Sequence, residues 1–240
     1  MAKYAIKKPK RPSIAIINSP QRFPVRRIYC VGQNYAKHIA EMGGPSKAAE
    51  RKPPFFFQKP SDAIVASGQT IAYPKLTQNL HYEVEMVLAI GRGGEFIAKD
   101  EALEHIYALG VGVDLTRRDR QAEMKAAGRS WEIAKAFDNS APVSNLIPVE
   151  DLEGGIPSVA TISLQVNGII CQCADLSEMI WSPAEIISTL STHYRLYPGD
   201  IIFSGTPQGV GPISEGDYIR ASVDGLPDLE FTIGGSRVLN

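Results

Sequence analysis

Two glutamates, Glu83 and Glu85, stand one residue apart in the apolar, strand-like run "LHYEVEMVLAI", Leu80 to Ile90. Side chains alternate faces along an extended strand, so both carboxylates point the same way, with His81 and Val87, their Cα atoms about 7 Å apart. A half-exposed strand would place such a pair in water. A third carboxylate points elsewhere: "YALGVGVD" is an apolar, glycine-containing run that ends in Asp114, and a strand end often presents a ligand into a cleft. If the two strands are neighbours, three carboxylates converge and repel one another unless a cation neutralises them. Hard oxygen donors favour Mg²⁺, Mn²⁺ or Ca²⁺ over zinc, and Mg²⁺ held this way keeps water positions that a substrate can displace.

A second constellation lies in "VGQNYAKHIAEMG". His38 and Glu41 are three apart, so on a helix they share a face and can pair. Alone this is a common surface pair; beside a metal it is a candidate general base, with Glu41 holding the imidazole in one tautomer. His81, His105 and His193 lack such a partner and read as structural. Arg118 and Gln121 share a face of the helix expected after Asp114. Lys135, in "EIAKAFD", is either a snorkelling surface lysine or a cation directed at an anionic ligand. In "SGTPQGVGP" the hydroxyl of Thr206 sits among glycines that let backbone approach a ligand. That stretch lacks the lysine and helix of a phosphate loop, and "GVGVD" lacks the third glycine of a dinucleotide fingerprint, so no nucleotide cofactor is expected.

These residues need elements to position them. The sequence predicts strands at Arg26 to Val31, Leu80 to Ile90 and Ile106 to Asp114, and in "PPFFFQKPSDAIV". Thr161 to Val166 and Ile169 to Cys173 read as a hairpin turned by Asn167-Gly168. Asn34 is placed to cap a short helix from Tyr35 to Met42 that Gly43-Gly44-Pro45 ends, and Arg117 to Ala127 is a helix stopped by Gly128. Ser182-Pro183-Ala184-Glu185 forms a capping box opening a helix to about Arg195. Many strands with scattered helices and no regular alternation predict an α+β fold around a large mixed sheet.

A chain of 240 residues can bury a core without disulfides or metal staples. Cys30, Cys171 and Cys173 read as reduced thiols. No stretch approaches the length of a signal peptide or a membrane span, so a cytoplasmic protein is expected. Charge before Glu41 is exclusively basic, yet prolines and apolar residues break the run and no recognition motif accompanies it. A solvated basic N-terminal arm with a small strand region over residues 1–25 is the expectation, with neither nucleic acid nor membrane as partner; residues 26–240 form the catalytic unit.

In order along the chain, "GQNYAKHIAEMG", "FFFQKPSDAI", "HYEVEM", "GVDLTRRDRQ", "WEIAKAFD" and "SGTPQGVGP" resemble the fumarylacetoacetate hydrolase superfamily, and within it the bacterial fumarylpyruvate hydrolases and acylpyruvases. The resemblance runs from about Arg26 to Ile233 and implies a rolled mixed β-sheet, usually in a homodimer. It implies a divalent metal on Glu83, Glu85 and Asp114, and a base formed by His38 and Glu41. Arg118, Gln121, Lys135 and Thr206 would contact a small keto-acid substrate. The implied reaction is hydrolysis of a carbon–carbon bond in an acylpyruvate, with Lys135 and Arg118 offsetting substrate charge. Gln33 stands where many similar enzymes carry arginine, a departure that bears on the acidic substrate and not on the metal. Oxaloacetate decarboxylation and isomerisation of unsaturated dicarboxylates are the alternatives within the superfamily; a basic-armed interaction protein is the alternative outside it.

Overall fold

After Glu85 the run to Ile90 contains no polar residue, and a strand of that kind is stable only between two covered faces. In the structure, a computed structural model that describes residues 4–7, 9–43 and 51–235, the strand Val84–Ile90 is buried at every position. It pairs antiparallel with Ile106–Val113 on one side and Asp200–Phe203 on the other. These three lie at the middle of an eight-stranded sheet. Its order is Phe55–Lys59, Arg27–Gly32, Asp200–Phe203, Val84–Ile90, Ile106–Val113, Ala141–Val143 and Ile64–Ala66, with Ile147–Pro148 also pairing on Ile106–Val113. Arg27–Gly32 runs parallel to Asp200–Phe203, and Ile64–Ala66 parallel to Ala141–Val143, so the sheet is mixed.

A second, five-stranded sheet supplies much of the cover. It runs Ile169–Asp175, Thr161–Val166, Tyr218–Val223, Leu229–Gly234 and Gln69–Ala72. Its inward Ile162, Leu164, Ile219 and Phe231 join Val84, Met86 and Leu88 in the larger core. Val87 and Ala89, on the opposite face, belong to a smaller core closed by Ile14, Ile16, Phe23 and Val25. Those four residues come from the hairpin Ser13–Ala15 and Arg22–Pro24 and its flanks, so residues 13–25 pack onto the body of the fold. Lys3 and Lys8, part of the expected basic arm, lie outside the described residues.

The Asn167-Gly168 turn and the Ser182–Glu185 capping box occur as the sequence predicts, with positive φ at both turn residues and helix Pro183–His193 behind the box. Two expectations need correction. Leu80 to Ile90 is not one strand: Leu80–Tyr82 leaves to join Thr116–Arg117 and Gly211–Ile213 in a three-stranded sheet, and the break falls at Glu83. Asn34 does not cap the helix Ala36–Glu41, whose N-cap is Tyr35. Its amide donates instead to the carbonyls of Ser204 and Trp181 and accepts from the Trp181 N–H, tying the start of that helix to two other loops. Helix Ala36–Glu41 ends before Gly43, which has φ +74; Gly44 and Pro45 lie outside the described residues.

Gly112 faces Glu85 across the ladder. A Cβ there would lie 2.5 Å from Phe203 Cε1 and 2.7 Å from Val87 Cγ2, with no room to yield in a close-packed core. Gly112→Ala is expected to destabilise the fold by about 1–3 kcal/mol through overpacking, read as a lower urea midpoint. An unchanged midpoint would show that the Phe203 ring moves freely.

Candidate active site

The break at Glu83 is what assembles the site. At that point the Val84 N–H is bonded to the side-chain oxygen of Gln172 at 3.0 Å, and the Glu83 carbonyl accepts the Asp114 N–H at 2.8 Å. The exit of one strand and the end of its neighbour are thereby joined at the same level. Carboxylate oxygens of Glu83, Glu85 and Asp114 consequently lie within 4.8 Å of one another. All three residues are buried, at 5%, 1% and 0% exposure, so the glutamate pair does not face solvent.

Three like charges in a buried site require opposite charge. Lys135 Nζ donates to Glu83 Oε2 at 2.7 Å, Asp114 Oδ2 at 2.6 Å and Thr116 Oγ1 at 2.7 Å. It stands on a one-turn helix, Glu132–Lys135, too short for any periodicity to announce. Arg118 Nη2 donates to Glu83 Oε1 at 2.5 Å. Lys59, at the end of Phe55–Lys59, brings Nζ to 2.8 Å from Asp114 Oδ1, an ion pair whose angle leaves that oxygen without a hydrogen bond. Burial opposes the charge on Glu83, but Lys135 and Arg118 overcome it and hold the carboxyl well below its usual range. Burial likewise opposes the charge on Lys135, and Asp114 and Glu83 outweigh it, so the ammonium persists.

Glu85 is left over. Its Oε2 accepts the Gly205 N–H at 2.6 Å, and among the described residues no cation forms an ion pair with it. Burial first, then Asp114 and Glu83, push its carboxyl well above the ordinary range. A divalent cation at the meeting point of the three residues would reverse that, because it supplies the charge that Glu85 lacks through the hard oxygen donors it prefers. The donor set therefore fits a divalent ion.

The carboxylates form one end of a cavity of about 220 Å³ that His38, Gln121 and Thr206 also line. Glu41 Oε2 lies 3.4 Å from His38 Nδ1, and both Glu41 oxygens accept the Gly209 N–H at 3.1 Å, so the tether of the imidazole is itself fixed. Burial lowers the His38 pKa below the ordinary histidine value, despite the opposing pull of Glu83 and Glu41. Arg118 also donates to Gln121 Oε1 at 2.5 Å and to His81 Nδ1 at 3.3 Å. Burial and then Arg118 lower the His81 pKa to about 4, so His81 is a neutral acceptor that orients the guanidinium. Thr206 Oγ1 accepts from Gln172, the residue that also holds the Val84 N–H. Every residue expected at the site borders this one cavity except Glu41, which contacts His38.

Residues 27–234 match the family described as fumarylacetoacetate (FAA) hydrolase C-terminal. The chain belongs to the fumarylacetoacetate hydrolase family. A fumarylpyruvate hydrolase of Ralstonia sp. is 41% identical over 194 residues, which span 80% of this chain and 98% of that protein. An oxaloacetate tautomerase of Escherichia coli (strain K12) is 40% identical over 203 residues, 85% of this chain and 90% of that one. The crystal structure of fumarylpyruvate hydrolase from Pseudomonas aeruginosa in complex with Mn²⁺ and pyruvate superposes with a TM-score of 0.93 at 47% identity, covering 98% of this chain and 100% of that one. The mixed, curled sheets match those of this fumarylpyruvate hydrolase. Among the described residues no helix is long and apolar enough to cross a membrane.

Sequence reasoning missed Lys59. Lys59 carried a usable signal, a lone cation ending the apolar strand "FFFQK" much as Lys135 stands alone in "EIAKAFD".

Proposed function

We propose that this chain is a divalent-metal-dependent hydrolase that cleaves a carbon–carbon bond in an acylpyruvate, with fumarylpyruvate giving fumarate and pyruvate. The observation that carries the reading is the buried group Glu83, Glu85 and Asp114, of which Glu85 has no ion-pair partner among the described residues, in the wall of a cavity that His38 also lines. The fumarylpyruvate hydrolases at 41% and 47% identity support it. Mg²⁺ is the metal we assign, with Mn²⁺ and Ca²⁺ as the other hard ions the donors accept. The metal would supply positive charge to an α-keto carboxylate and to the enolate that forms from it.

Arg118 and Lys135 line the cavity beside the carboxylates and offset the charge of the keto-acid end. Thr206 offers a hydroxyl, and Gln121 an amide fixed by Arg118. Glu41 engages Nδ1 of His38 and leaves Nε2 to take a proton from water. The resulting hydroxide attacks the carbonyl carbon of the acyl arm. The bond from that carbon to the methylene breaks, its electron pair passes to the pyruvate fragment as an enolate, and a proton taken up at the methylene completes pyruvate. The acyl arm departs as a carboxylate.

The catalytic unit we assign to residues 26–240, working as a cytoplasmic homodimer. Free Cys30, Cys171 and Cys173 support a reducing compartment. The edge strand Ile169–Asp175, with Ile169 and Ile170 exposed at 70% and 61%, supports self-association. A second reading, tautomerisation of oxaloacetate, is favoured by the 40% identity to the Escherichia coli tautomerase. A panel of acylpyruvates and oxaloacetate, assayed with and without chelator, separates the two. Acylpyruvate cleavage that chelation abolishes and Mg²⁺ or Mn²⁺ restores is the expected result. Cleavage indifferent to chelation removes the metal, and turnover of oxaloacetate alone transfers the chain to the second reading.

A further inference from the structure

The lining of the cavity combines charged and uncharged groups. Its carboxylate end is crowded with paired charge, and there Lys135 and Arg118 are committed to Glu83 and Asp114. Apart from Gln33, His38, Gln121 and Thr206, the rest of the lining is largely apolar, with the rings of Phe57 and Trp131 in it. Trp131 is braced by the rings of Phe55 at 5.0 Å and Phe57 at 6.2 Å. One further cation, Lys125, borders the cavity.

Arg118, Gln121, Ala122 and Lys125 all line the cavity, and their spacing of three, four and seven is one face of the helix Arg118–Ala126. Arg118 marks the carboxylate end of that stripe and Lys125 the outer end, about 10 Å farther along the axis. Lys125 is exposed and has no ion pair or side-chain hydrogen bond among the described residues. An ammonium without an ion pair among the described residues, beside a lining of apolar and uncharged polar groups, is placed to receive an anion that enters with an apolar stem.

Resting on the assignment of this cavity to an acylpyruvate, we infer that Lys125 and Trp131 form the subsite for the far end of the acyl arm and select a planar arm that ends in a carboxylate. Fumarylpyruvate has that shape: a conjugated arm to lie against the indole, and end carbons about 7.5 Å apart from ordinary bond lengths. The flexible four-carbon stem of lysine spans the rest of the distance. Oxaloacetate and acetylpyruvate are too short to reach Lys125. Selectivity for a long dicarboxylate over a short substrate thus resides on Lys125 and Trp131, separate from the groups that do the chemistry.

The test compares fumarylpyruvate with acetylpyruvate, in the presence of Mg²⁺, for the wild type, Lys125→Met and Lys125→Arg. Methionine keeps helix propensity at an exposed site, so the fold is preserved. The ratio of kcat/KM for fumarylpyruvate to that for acetylpyruvate is expected to fall about tenfold in Lys125→Met, through KM, and to recover in Lys125→Arg. A ratio that Lys125→Met leaves intact, or a fall that Lys125→Arg does not reverse, overturns the inference. If the wild type cleaves neither compound, the hydrolase reading fails by itself. Calorimetric affinities for the same two compounds then decide the subsite: a tenfold fall in their ratio supports it, and an unaltered ratio or no binding of either overturns it.

Discussion

Asp114→Ala is expected to lower the stability of the metal-free protein by about 3–5 kcal/mol and to abolish metal binding together with turnover. Two effects of opposite sign compete. Removing the carboxylate relieves its repulsion with Glu85, but it also strands Lys59 Nζ, a side chain with 0% exposure whose other partners are the carbonyls of Leu115 and Lys135. Without metal, Glu85 is held toward its neutral form by burial and by its two acidic neighbours, so the relief is small. The stranded ammonium therefore dominates. Lys135 loses one of its two carboxylates in the same change and keeps Glu83. Asp114→Asn preserves shape and one acceptor for Lys59 and should recover part of the stability but none of the metal affinity, since a neutral amide adds no charge to the donor set. Urea unfolding with and without Mn²⁺ reads both quantities: the wild type gains stability with the ion, and neither variant does. An Asp114→Ala protein that unfolds at the wild-type midpoint would mean that Lys59 is not paired as described.

How far this was legible in advance depends on the range of the interaction. Glu83 and Glu85 could be placed on one side of the chain from the two-residue period of an extended segment, and Asp114 from its position at the end of an apolar run. What the period could not show is that the segment breaks at Glu83, since "HYEVEM" contains no turn residue. The cause is distant: the side chain of Gln172, from the five-stranded sheet, replaces a ladder partner at Val84. Lys59 could be read as a lone cation ending an apolar strand, but its partners could not, for the same reason. Its role depends on Phe55–Lys59 lying at the edge of the large sheet beside the turn of helix that carries Lys135. Asn34 shows the converse error: its local chemistry suited a helix cap, yet partners 147 and 170 residues away took every side-chain bond it makes. His38 and Glu41, three apart on one helix, needed no long-range information, and they meet as the spacing predicts.

His38→Ala should lower kcat/KM for acylpyruvate cleavage by about 10²- to 10⁴-fold, the ordinary worth of a positioned base, and leave the binding of Mn²⁺ in place. The separation follows from geometry. His38 is tied to Glu41 and not to the carboxylates that would hold the metal, whereas Asp114 is tied to two lysines. The sign of the pH dependence also follows. A base must be neutral to accept a proton, and burial lowers the His38 pKa below the ordinary value of about 6.5, so the neutral form prevails from the physiological range down into mild acid. Positive charge from a bound divalent ion acts in the same direction. The wild-type profile of kcat/KM is therefore expected to hold level near neutrality and to fall on the acid side only below pH 6.5. His38→Ala should remove that acid limb along with most of the rate. Glu41→Gln, which keeps an acceptor for Nδ1 but loses the charge, should cost less and move the limb to still lower pH, because the carboxylate raises the His38 pKa. A His38→Ala enzyme within a few-fold of wild type, or one that retains the acid limb, would take the base away from this residue.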